Sequence, residues 1–241
     1  MGPVATRERE QALAADTSAA EVSHNLVGQR LGKKGQATRE RILAAMLRLL
    51  ADPDGPPVTL TLVAREAKIG LTNLYLYFPD LGELLLAALQ QVMANSEEAY
   101  IEALRRRWPD EGLETACRQF LGAHFAFWQR HARLLHMRNA LADASDMRVL
   151  AYRQSATQPI LAMLATQMAP AGMEPDTDCT DFTTVLFTGL ERTATVLTHR
   201  NYLQISGHAG MRDRAEHAER LLDAEAKIMA LAIAQRRNAR R

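Results

Sequence analysis

The sequence predicts an all-α protein, a small three-helix head near the N-terminus carried on a larger helical body. Three observations support that expectation. Apolar residues recur at three- and four-residue spacing along the 241-residue chain. Clusters of Gly and Pro punctuate these stretches at helix-like intervals. The alternating β-branched run Val58-Thr59-Leu60-Thr61-Leu62-Val63 has no second run to pair with, and a two-stranded element is marginal in water.

Composition narrows the class further. Hydrophobic residues make up 47% and charged residues 24%, the balance of a soluble globular chain long enough to bury its own core. Formal net charge is only +1, so a nucleic-acid surface must come from locally arranged charge. Cys117 and Cys179 are far apart without CxxC spacing, which predicts small buried thiols in a reducing compartment, with no disulfide and no metal site. No run approaches the ~18 apolar residues of a membrane helix. Arg7, Glu8, Arg9 and Glu10 stand where a signal peptide needs apolar residues. The expected location is the cytoplasm, with no membrane partner.

Taken in order, residues 1–35 read as a flexible arm ending in the basic joint Gly32-Lys33-Lys34-Gly35. The first helix is expected from Gln36 or Thr38 to about Ala51, with Ile42, Met46, Leu49 and Leu50 on one face. Asp52-Pro53-Asp54-Gly55-Pro56-Pro57 stops it. Thr59 is placed to cap a short helix over 60–67, and a second short helix follows over 71–78, ended by Pro79-Asp80. A long amphipathic stretch runs from Glu83 to Arg107. Helices are then expected over 113–130, 132–142, 146–168, 178–202 and 213–236. The domains are thus an arm (1–35), a head (36–82) and a body (83–241).

Two short helices joined by a tight turn over 59–78 have the geometry of a helix-turn-helix. Val63, Ala64 and Ala67 offer small contacts to Leu74 and Phe78, and Ile69 plugs the turn. In such a unit the start of the second helix enters the major groove of double-stranded DNA. Leu71, Thr72, Asn73, Tyr75 and Tyr77 are the candidates to meet it. Thr and Asn both donate and accept at base edges, and Tyr hydroxyls reach phosphates.

Thr59, Val63-Ala64, Ala67, Ile69, Leu74-Tyr75, Phe78-Pro79 and Leu84-Leu85, preceded by Thr38-Arg39-Glu40-Arg41-Ile42-Leu43-Ala44-Ala45, resemble the N-terminal domain of the TetR family of bacterial transcriptional regulators. The resemblance covers roughly residues 36–86. It implies a homodimer on a palindromic operator, released by a small-molecule effector, with repression the common output. Three positions depart from the family pattern: Lys68 replaces a turn Gly, Tyr77 a common His, and Leu81 a Lys that touches the DNA backbone. Lys33, Lys34, Arg39 and Lys68 offer phosphate contacts in compensation, and Thr59 and Thr61 complete the DNA-facing set.

In the body, aromatic, Met and His side chains are concentrated over 120–168, and the resemblance implies a ligand pocket there. His124, Phe125, Trp128, His131, Met137, Tyr152 and Met163 are its candidate lining, suited to a small, largely apolar ligand. His124 and His131 lack the further close ligands of a metal site, and no cofactor is implied. Asp143 and Asp146 are expected to cap the following helix. The last two long helices carry apolar stripes for an isologous dimer, Phe182, Val185, Leu186, Leu190, Ala194 and Leu197 on one, and Leu221, Leu222, Ile228, Met229 and Ile233 on the other. Arg236, Arg237, Arg240 and Arg241 read as a solvated tail. The alternatives are a ligand-independent DNA-binding or adaptor protein and an all-helical enzyme; no phosphate loop, HExxH or nucleophile elbow supports the enzyme.

Overall fold

The computed structural model describes residues 32–206 and 211–238, with the side chains of residues 97, 98, 205, 206, 211 and 212 also left undescribed. Among these residues the regular structure is entirely helical. The chain divides into two compact units. One holds the described residues up to Leu49 together with Pro57–Gln90, the other Leu50–Pro56 and the residues from Gln91 onward.

The first unit is built from most of α1 (Lys33–Ala51), α2 (Leu60–Glu66), α3 (Leu71–Tyr75) and most of α4 (Leu81–Met93). Helix α1 starts earlier than the sequence predicts, because Lys33, Lys34 and Gly35 already belong to it. The Gln36 amide donates to the Gly32 carbonyl at 3.0 Å and the Thr38 hydroxyl to the Lys34 carbonyl at 3.0 Å. Propagating a formed helix by one turn offsets the ~1 kcal/mol that Gly35 costs. Ile42, Ala45 and Met46 are fully buried, and with them Val63, Leu74, Leu84, Leu85 and Leu89 form the interior.

The turn geometry of this unit is set by three residues. Thr59, in extended conformation, accepts a hydrogen bond from the Leu62 amide at 3.2 Å and caps α2, a contact worth about 1 kcal/mol. Lys68 is left-handed at φ 54°, at the position where the family resemblance places Gly. The Ile69 amide returns to the Ala64 carbonyl at 3.0 Å, which closes the helix end and holds Lys68 in that conformation. Asp80 caps α4 by accepting from the Glu83 amide at 2.9 Å. Helix α3 is shorter than 71–78; Leu76 and Tyr77 form a turn tied to the Leu74 carbonyl, and Phe78 is buried beyond it.

In the second unit the expected continuous stretch from Glu83 to Arg107 is broken. Helix α4 ends at Met93, a π-helical turn follows at Glu97–Ile101, and α5 is a single turn, Glu102–Arg105. Ser96 sits at the break, where its buried hydroxyl donates to the Met93 carbonyl at 2.6 Å and satisfies one of the carbonyls that the helix end leaves free. Beyond it lie α6 (Leu113–Arg130), α7 (Ala132–Asp143), α8 (Met147–Met168), α9 (Thr177–Leu197), α10 (Tyr202–Ser206) and α11 (Met211–Asn238). Helix α6 packs along α11, α8 lies between α7 and α9, and α9 also meets α11. Asp146 caps α8 by accepting from the Arg148 and Val149 amides, whereas Asp143 pairs with Arg153 at 3.6 Å and caps nothing. Asp176 caps α9 through the Cys179 amide. Cys117 and Cys179 are both free and buried.

The C-terminal arginines correct the sequence reading. Arg236 pairs with Asp176 at 2.7 Å and Asp178 at 3.2 Å. Arg237 is buried, donating to the Gln167 and Trp108 carbonyls and to Asp110. Both sit on the last turns of α11, where that helix is packed against the unit, so neither is solvated. Arg240 and Arg241 lie outside the described residues. Among the described residues, no helix is long and apolar enough to cross a membrane.

Candidate functional site

Two places in the molecule gather side chains able to recognise something else, one in each unit. In the first unit, the tight α2–α3 turn leaves Leu74 fully buried and turns the rest of α3 outward. Thr72 and Asn73 are exposed, Leu71 is 36% and Tyr75 45% exposed, and Tyr77 is half-buried in the following turn. Lys68 projects from the left-handed turn next to them. Thr59 and Thr61 are exposed at the start of α2, although the Thr59 hydroxyl is committed to its cap. Lys33 and Lys34 are exposed on the first turn of α1. Arg39 differs from these. It is half-buried, its guanidinium lies 5.0 Å over the Phe78 ring, and burial lowers its pKa against the opposing pull of Glu83.

The surface thus carries hydroxyl, amide and ammonium groups in one short stretch, on a backbone fixed from beneath by Val63, Ala64, Ala67, Leu74 and Phe78. Hydroxyl and amide groups on a fixed backbone can be matched to the edges of bases, and the lysines to phosphates.

In the second unit a small cavity lies among the π-turn, α6, α7, α8 and α9, with about 10 Å³ of room for the centre of a water, enough for about one water molecule. Of the seven body residues singled out from sequence, it is lined by His124 and Trp128. Phe125 is buried outside its lining, and Tyr152, Met137 and Met163 are half-buried elsewhere in the unit. His131 is half-buried with its ring 4.7 Å from Phe127.

The residues that give the cavity its chemistry were not among those candidates. They are Tyr100 from the π-turn, Arg138 from α7, and Phe187 and Glu191 from α9. A signal for Arg138 is present in the sequence: it falls at helical spacing with Leu134, Leu135 and Ala142, all buried, and so had to enter the interior. His124 is held neutral, its pKa pushed down to about 3 first by burial and then by the Arg138 charge. Burial likewise pushes the Tyr100 hydroxyl up to about 12. The walls are therefore aromatic, but an ion pair from buried Arg138 to partly exposed Glu191, at 3.2 Å, makes them less apolar than the sequence suggests.

The two stripes expected on the last long helices each divide. Leu190, Ala194 and Leu197 on α9, and Leu222, Met229 and Ile233 on α11, are buried in the chain's own core. The exposed apolar positions are Phe182, Val185 (72%) and Val196 on α9, and Ile228 and Leu231 (71%) on α11. Each helix therefore has one face for the unit and a second, apolar face turned to solvent.

No family model and no curated protein matches the chain. Among solved structures it is similar to a TetR family transcription regulator from Marinobacter aquaeolei VT8, at 19% identity and a TM-score of 0.51, and to a TetR-like transcriptional regulator from Rhodococcus sp. RHA1, at 20% identity and a TM-score of 0.50. Each alignment covers 82% of this chain and 97% of the other. The likeness is one of fold, and by it the chain carries the all-helical fold of the TetR-type transcription regulators.

Proposed function

We propose that this chain is a DNA-binding transcriptional regulator that reads duplex DNA with α3 and the turn before it. The observation that carries the reading is the outward presentation of Thr72, Asn73 and Tyr75 on a helix pinned by fully buried Leu74, with Lys68 projecting beside them. In this arrangement Asn73 and Thr72 meet base edges while Tyr75, Lys68, Lys33 and Lys34 meet phosphates. The test is binding of the purified chain to its own upstream DNA at fixed salt. Asn73→Ala is expected to weaken specific binding by about 1–3 kcal/mol. Tyr75→Ala is expected to weaken binding across sequences alike. Wild-type affinity in both variants would remove α3 from the interface.

The regulator acts as a homodimer through the exposed faces of α9 and α11, a twofold arrangement that presents two α3 helices to a palindromic operator. Val185, Ile228 and Leu231 support this, because such exposure on adjacent long helices is costly in a lone chain. Leu231→Glu is expected to convert the dimer to monomer in light scattering, with the folded helical signal retained. A dimer of unchanged mass would place the interface elsewhere.

Repression is released by an effector in the body cavity, which must prefer the DNA-free state to shift the equilibrium. A second reading, a regulator indifferent to small molecules, is favoured by the cavity's size, room for about one water. The two readings differ in whether occupying that cavity alters operator affinity.

A further inference from the structure

Arg138 has more hydrogen-bond donors than its surroundings have acceptors. Its side chain is 5% exposed. Nε and Nη2 both donate to Asn139 Oδ1, at 3.1 and 3.0 Å, and Nη2 also reaches Glu191 Oε1 at 3.2 Å. Among the described residues, nothing accepts from Nη1, which is open to water where the His124 Nδ1 is not. The compensating Glu191 carboxylate is 26% exposed, so it sits nearer water than the guanidinium it balances. His124, 2% exposed, adds no negative charge, and its Nδ1 is sealed from water without a partner.

A buried site short of acceptors favours an occupant that supplies them. A carboxylate offers two oxygens in the plane and spacing of a guanidinium edge. An ammonium would be repelled by Arg138, and a wholly apolar occupant would leave Nη1 unsatisfied. The aromatic rings facing the same space suit a flat hydrocarbon portion.

We propose that the body cavity binds a compact aromatic carboxylate, its oxygens on Arg138 and its ring among Tyr100, Phe127, Trp128 and Phe187. The proposal rests on the effector reading given above and names the chemistry of that effector. Entry displaces the contents of a one-water space, so the wall must give way. Met93, unbranched and half-buried, and Glu191, partly exposed, are the lining members free to move. Glu191 then turns toward solvent as the ligand's carboxylate takes its place on the guanidinium.

The test uses the full chain with benzoate as probe and benzamide and benzylamine as its neutral and cationic counterparts. Binding is followed by tryptophan fluorescence, since Trp128 is in the wall, and by thermal shift. Saturable benzoate binding is expected, with both counterparts weaker by about tenfold or more. Arg138→Gln is expected to weaken benzoate by a similar factor. Glu191→Gln is expected to tighten it several-fold, because the guanidinium loses its internal competitor; general damage to the site cannot produce that sign, and this variant decides the matter if Arg138→Gln does not fold. Benzamide binding as well as benzoate, benzoate affinity unchanged or weakened in Glu191→Gln, or no saturable benzoate binding at millimolar concentration would each overturn the proposal. Operator binding measured alongside separates the two readings. Benzoate that binds without altering operator affinity defeats the effector reading and leaves the carboxylate site standing. A neutral probe that alters operator affinity while benzoate does not bind does the reverse.

Discussion

Arg237→Ala is expected to destabilise the second unit by about 2–5 kcal/mol, in line with two buried carbonyls left unpaired at about 1–3 kcal/mol each. The side chain is 5% exposed; Nε and Nη1 end on groups from two distant parts of the chain, while Nη2 is buried without an acceptor. Nε donates to the Gln167 carbonyl at 2.9 Å and Nη1 to the Trp108 carbonyl at 3.0 Å. Truncation leaves both carbonyls buried and unpaired, and vacates the space the guanidinium fills. The ion pair to Asp110 contributes little of this, because that carboxylate is 68% exposed and screened by water. Gln167 binds the same loop from the other side, its amide donating to the Leu104 and Arg106 carbonyls and its oxygen accepting from the Trp108 amide. Arg237→Lys is therefore expected to recover less than half of the loss, since an ammonium on a flexible stem lacks the planar fork that points separate nitrogens at the two carbonyls. Arg106→Ala, at an exposed position of the same loop, should shift stability by no more than about 0.5 kcal/mol. Urea midpoints at unchanged slope measure all three. Equal midpoints for Arg237→Ala and Arg106→Ala would show the buried network to be energetically idle.

That network also marks a limit of what the sequence discloses. A run of arginines at a helix end has the same local pattern whether it is solvated or buried. What decides it is the position of carbonyls some 70 and 129 residues away, which no periodicity encodes. Local features were legible for the converse reason. Thr59 as a cap, Pro53 and Pro79 as stops, and buried Leu74 and Phe78 behind an outward-facing Asn73 all follow from chemistry within one or two turns. The break after Met93 lies between these cases. A buried serine hydroxyl marks it, and Ser96 in an amphipathic stretch looks like any other polar position until its neighbours are known. The same holds for the cavity. His124 and Trp128 stand out as residue types, but Tyr100, Phe187 and Glu191 face them only because the π-turn and α9 are brought to α6 by tertiary packing. The exposed and buried faces of α9 and α11 were mixed in the sequence reading because both are apolar, and composition alone cannot say which face a helix turns inward.

Lowering the pH from 7 to 5 is expected to remove about 2 kcal/mol of stability through His124 alone, and roughly 4–5 kcal/mol if the titration is carried to pH 3. The imidazole is neutral in the folded chain with a pKa of about 3, depressed first by burial and second by the Arg138 guanidinium. In the unfolded chain it takes up a proton near its ordinary value of 6.5. Between those two values the unfolded state binds one proton more than the folded state. The contribution is therefore intact above pH 6.5 and is lost steadily as pH falls, by about 1.4 kcal/mol per unit. His131 and His136, both lowered by burial first, push in the same direction, so wild-type acid sensitivity alone does not isolate the group. His124→Phe does. The position is bordered by Tyr100, Phe120 and Phe187, which accept another aromatic ring, and the substitution removes the unpaired Nδ1 together with the titration. The stability difference between variant and wild type should shift in the variant's favour by about 2 kcal/mol between pH 7 and pH 5. Asp146, held below the ordinary carboxylate range first by the Arg148 side chain, Asp176, held low first by its cap to the Cys179 amide, and the raised Glu225 contribute equally to both proteins and cancel in that difference. Parallel pH curves for the two proteins would mean that His124 takes up its proton as readily in the folded state as in the unfolded one. The space beside Arg138 would then already hold the negative charge that the guanidinium and imidazolium together require.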